Sequence, residues 1–118
     1  AIQFDSTEND TMSLSLMGTQ LFEQDSEFFN KTKGLILEHG FTEWRHHPYT
    51  DTMVLKERFN FACLNFAAGY YNYHTDNEYV IVEDVLNSTL LGESVIKELG
   101  NEFYEFKVPK KGSFGWFD

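Results

Sequence analysis

Cys63 to Val80 reads CLNFAAGYYNYHTDNEYV, and the fold turns on how this stretch divides. With Phe61 and Ala62 before it, the first part is a short apolar run, FACLNFAA, which suits a strand buried on both faces of a sheet. Gly69 breaks that run. A polar segment follows, carrying His74 and then Glu78, before Tyr79-Val80-Ile81-Val82 resumes the apolar pattern and is expected to re-enter the core. In α/β sheets, ligand and catalytic groups gather at such strand ends, because a rigid strand holds the loop in place.

Downstream, Val82, Val85, Leu86, Thr89, Leu90, Ile96 and Leu99 recur at helical spacing, which predicts an amphipathic helix over 83–99 ended by Gly100-Asn101. Glu102 to Val108 reads as an added edge strand limited by Pro109. Upstream, Ala1-Ile2-Gln3-Phe4 reads as a strand stopping at Asp5-Ser6-Thr7. TMSLSLM (Thr11 to Met17) alternates as a half-buried strand does, and the two are expected to form a hairpin. Phe28, Phe29, Thr32, Leu35, Ile36 and His39 mark one face of a helix within Leu21 to His39, with Asp25 or Ser26 as cap and Gly40 as stop. Phe41 to Trp44 reads as a short strand leading into His46 and His47, which are expected to be solvated loop histidines. Thr50 or Asp51 caps a further helix running to Arg58.

The chain has 118 residues, of which 42% are hydrophobic and 17% aromatic, enough to bury one core. A formal net charge of −10 opposes binding to nucleic acid or to an anionic membrane surface, both of which call for Lys and Arg. No run approaches the roughly 18 apolar residues needed to span a bilayer, and no signal peptide opens the chain. Cys63 is the only cysteine and lies in an apolar run, so an inert buried thiol and a reducing, cytoplasmic setting are expected. Ala1 begins directly in a strand-like stretch, which suggests removal of a methionine or of a longer segment.

GYYNYHTDNEYV resembles the last metal-ligand segment of the co-catalytic zinc peptidase superfamily, the aminopeptidases, carboxypeptidases and deacylases. FDSTEND (Phe4 to Asp10) resembles its aspartate-bearing strand end, with Ser6 in place of a basic residue and without the family's glycine. The resemblance covers about 1–99 and only the second half of a catalytic domain. It implies that Asp5 and His74 are zinc ligands, and that Thr50, Asp51 and Glu78 belong to a pocket for a peptide or an N-acyl amino acid. The helix N-terminus at Thr50 would favour a carboxylate, with the Asp51 side chain turned back to cap. The family's first ligands come from an H-x-D segment and its general base from a Glu-Glu pair. The resemblance places both upstream of this chain, so the chain alone is incomplete as a catalytic unit.

The resulting expectation is a single three-layer α/β domain over 1–108, its mixed sheet covered by helices 25–39 and 83–99, followed by an aromatic tail over 109–118. Three function classes follow: half of a split zinc hydrolase, a degenerate binding or assembly module, and a small enzyme using His74 with Glu78 or Asp76. Surface left bare by a missing N-terminal half, or covered by the aromatic tail, predicts a homodimer or larger assembly.

Overall fold

The run 61–68 does supply the centre of the sheet. A computed structural model describes residues 1–107. Its elements are β1 (Ile2–Ser6), β2 (Thr11–Leu16), β3 (Thr19–Gln20), α1 (Glu27–Glu38), β4 (Glu43–His47), α2 (Asp51–Arg58), β5 (Leu64–Ala67), β6 (Tyr70–Tyr71), β7 (Tyr79–Val80) and α3 (Val82–Leu99). Every residue of β5 is buried. Such a strand has no face for water, so it takes an inner position, parallel to β1 and antiparallel to β2. The expected β1–β2 hairpin therefore does not form: β5 lies between the two. β4 runs parallel along one edge of β2, while β5 and β3 share the other, making the sheet mixed.

One face of this sheet is apolar. Ile2, Phe4, Leu64, Phe66 and Met12 come into register there, and the Phe66 ring meets Phe4 and Phe41, each at 5.4 Å between centroids. Helices α1 and α3 cover it. Ser26 starts α1 by accepting a hydrogen bond from the Phe29 N–H, and Gly40 stops it with φ of 86°. Phe28, Phe29, Thr32 and Ile36 turn inward as expected. Leu21 and Phe22 lie ahead of the helix but are fully buried, with Phe22 stacked on Phe29.

The other face is polar. Gln3, Asn65 and Ser13 alternate with the apolar set, and α2 docks there through its first turn. The Gln3 side-chain oxygen accepts from the Thr52 N–H at 3.2 Å and from the Thr50 hydroxyl at 2.9 Å. Gln3 thus caps α2 from another strand, and Asp51, the first helical residue, does not turn back as its cap. Lys56 of the same helix is buried, and its ammonium donates to the carbonyls of Phe59 and Phe106. Burial lowers its pKa below the ordinary lysine value.

Four further expectations need correction. His46 and His47 belong to a strand paired with β2, not to a loop, and Ser15 and Ser13 hold their imidazoles through Nδ1 at 2.6 and 2.7 Å; His46 is exposed as expected, His47 half-buried. Those bonds, with the neighbouring strands, bury both serines, so β2 is covered on both faces and not half-buried. The segment 79–82 does not return to the core: among the described residues β7 pairs only with β6, and Val80 and Val82 are 58% and 76% exposed. Most of the apolar face expected to seat α3 points to solvent, Leu86 and Ile96 being 56% and 61% exposed. The buried face is Ser88, Leu91, Gly92, Val95 and Leu99. Gly92 explains the choice, because a Cβ there would lie 3.0 Å from the Phe4 ring and only glycine lets the helix approach so closely.

Residues 102–107 make one isolated bridge, Phe61 with Glu105, in place of an edge strand. The aromatic tail 109–118 and Val108 lie outside the described residues. Cys63 is a free, fully buried cysteine, and burial raises its thiol pKa.

Candidate functional site

The two segments singled out in the sequence, 4–10 and 69–80, lie side by side. The Ala68 N–H donates to Ser6 O, the Gly69 N–H to Glu8 O, and the Glu8 N–H to Tyr70 O. The Tyr70 hydroxyl reaches the Asp5 carbonyl at 3.3 Å, and Asn9 reaches Asp84 of α3. Tyr71 also donates to Asp84, and burial together with that carboxylate raises its phenol pKa. Gly69 is the pivot: at φ 87° its missing side chain leaves room for the first turn of α3, where a Cβ would sit 2.7 Å from Val85 N.

Beside this junction is a cavity of about 200 Å³ lined by Asp5, Ser6, Thr7, His47, Pro48, Tyr49, Thr50, Tyr70, Tyr73 and His74. Asp5, Thr50 and His74, far apart in sequence, therefore share one cavity. Asp51 and Glu78 are exposed and do not line it, although Glu78 lies close enough to raise the Tyr70 pKa after burial and Asp5. His74 is held at φ 60°, in the left-handed region, inside a turn where the Thr75 hydroxyl donates to Asn72 O. Its ring packs on Tyr73 with centroids 4.7 Å apart. His74-Thr75-Asp76 has the spacing of an H-x-D segment, but Asp76 is exposed and off the cavity.

His47 is the site residue that sequence reasoning missed. The Asp5 N–H donates to Asn65 Oδ1 at 3.2 Å, which turns the Asn65 amide nitrogen to Ser6 Oγ (3.0 Å) and Ser13 Oγ (2.9 Å). Ser13 accepts from Asn65, and its hydroxyl meets His47 Nδ1 at 2.7 Å, which fixes the plane of the ring. Burial pushes the imidazole below the ordinary histidine value of 6.5, with Arg45 acting in the same direction. His47 is thus a neutral ring fixed at the sheet surface. The available signal was the serine pattern of TMSLSLM: serines in a covered strand need polar partners.

A protein zinc site draws three or four ligands from its chain. Among the described residues no group of three or more His, Cys, Asp and Glu side chains could hold a metal ion. Asp5 and His74 share a wall of the cavity, but the donor set does not fit a self-sufficient zinc site. A larger cavity, about 490 Å³, opens between Phe28, Phe61, Ile96, Leu99 and Phe103; its lining is chiefly apolar and offers no such cluster. Among the described residues, no helix is long and apolar enough to cross a membrane.

No protein-family model, curated protein or solved structure matches this chain.

Proposed function

We propose that this chain is a binding module, incomplete as a hydrolase, whose ligand site is the cavity between Asp5, His47 and His74. One observation carries the reading. The polar face of the sheet sets a fixed neutral imidazole, a carboxylate and a second imidazole around one small cavity with tyrosine walls. Among the described residues these three side chains do not form a group that could hold a metal ion. Zinc titration by calorimetry tests it: the chain and its His74→Ala variant should take up zinc equally weakly. Tight one-to-one uptake lost in the variant would overturn it.

That same result would favour a second reading, that the chain is one half of a zinc-dependent peptidase or amidohydrolase. The observation behind it is that Asp5, Thr50 and His74 line one cavity, as the family resemblance implies. A partner half would then bring the remaining ligands and the glutamate base, and the substrate would be a peptide or an N-acyl amino acid.

The partner implied in either case is a second copy of the chain or that missing half, and the observation favouring a second copy is the outer face of α3. Val82, Leu86 and Ile96 lie exposed along one side of it, with Val80 and Ile81 continuing the strip. Packing two such helices against each other buries both strips. The buried free thiol of Cys63 suits a reducing compartment.

A further inference from the structure

We infer that the cavity beside Asp5 is a site for an organic cation, a methylated ammonium group above all; this rests on the binding-module reading and gives it a ligand class. The argument begins with the walls. Tyr70 and Tyr73 stand nearly perpendicular, at 84° with centroids 6.3 Å apart, the arrangement of two adjoining walls, and Tyr49 lines the same cavity. Aromatic faces carry negative potential and attract a cation within about 6 Å, most strongly one that sheds water easily, as methylated ammonium does.

The charges agree with the walls. No lysine or arginine lines the cavity. Among the described residues the Asp5 side chain makes no ion pair and accepts no hydrogen bond, so it is available as counter-charge. Glu8 and Glu78 add negative charge nearby, acting on His47 and Tyr70 respectively, while Arg45, the arginine that acts on His47, pairs with Glu43 at 3.6 Å. The net charge of −10 enriches cations over the whole surface. At about 200 Å³ the space lies below the range typical of drug-sized ligands, so it suits a headgroup or a side-chain tip.

An anionic ligand meets the opposite conditions. The α2 N-terminus that would receive its oxygen atoms is already filled by Gln3. Asp5 would repel it.

The test is titration of the whole chain, at about pH 8 so that the His47 imidazole is neutral, followed by amide NMR shifts and calorimetry. The probes are tetramethylammonium; a neutral isostere of a trimethylammonium cap, 3,3-dimethylbutanol, whose tert-butyl carbon stands where the quaternary nitrogen would be; and N-acetylglycine. Saturable tetramethylammonium binding is expected, with shifts at 70–74. It should weaken at least tenfold in Tyr73→Ala and in Asp5→Asn, and at least tenfold for the isostere. Tyr73 and Asp5 are exposed, so both variants should fold, which the far-UV spectrum checks. Equal binding of the isostere, or affinity untouched by both variants, overturns the cation site. N-acetylglycine shifting 70–74 while tetramethylammonium does not would also overturn it, yet leave the binding-module reading standing. Silence from all three probes would remove both.

Discussion

Asn65 stands fully buried in the central strand, with its amide reaching both neighbours: Asp5 and Ser6 on β1, Ser13 on β2. Asn65→Ala strands a backbone N–H and two hydroxyls, and should cost about 3 kcal/mol in urea denaturation. A loss under about 1 kcal/mol would mean that water replaces the amide. His47, at the end of that network, should make stability depend on pH. Its folded pKa is lowered, so below about 6.5 the unfolded chain binds more protons and stability rises with pH. The contribution is complete above 6.5 and is lost as pH falls through the lowered value. The difference in urea midpoint between wild type and His47→Asn should therefore narrow from about pH 7.5 to pH 5; a constant difference would contradict the assigned neutral ring. Gly69→Ala should cost about 3 kcal/mol or more, because it places a methyl against the α3 backbone and strains a left-handed φ. At this scale Asp5 and His74 stood out in the sequence as polar residues past apolar runs, and both line the cavity, although the sequence did not show that they meet there. It did not show His47, whose role is created by a serine across the sheet.

Helix α3 has apolar residues on two sides, and its sequence does not say which side meets the sheet. The helix itself was legible, with its stop at Gly100, as were the cap and stop of α1 at Ser26 and Gly40. The seated side was not, because it depends on Gly92 meeting a phenylalanine from the first strand. Substitutions separate the two sides. Leu91→Ala, on the buried side, should lower stability by about 3 kcal/mol. Leu86→Glu, on the exposed side, should change monomer stability by no more than about 0.5 kcal/mol while abolishing self-association in sedimentation velocity. An unchanged sedimentation coefficient for Leu86→Glu would show that α3 is not the contact between copies. On the opposite layer, Lys56 ties α2 to Phe106. Lys56→Ala should loosen that join, measurable as faster amide exchange over 59–62.

For the molecule as a whole, the mixed sheet was legible from the apolar run at its centre, while the order of strands was not, because pairing follows partners distant in the chain. Ile2 pairs with Leu64, Met12 with Phe66 and with Trp44, and the α2 cap is supplied by Gln3. That order has a kinetic consequence. The first two strands cannot settle against each other, since the strand that joins them is made much later, and every loop that must close around it is long. During synthesis β1, and the part of the β2 edge that takes β5, stay open until Leu64 to Ala67 emerges, the interval in which unpaired strands find wrong partners. A fragment ending at Asn60 keeps β2, β3 and β4 but leaves β1 without its partner, and should aggregate on concentration. The full chain, refolded from urea, should show helix within the dead time and β5 amides protected last, over milliseconds to seconds.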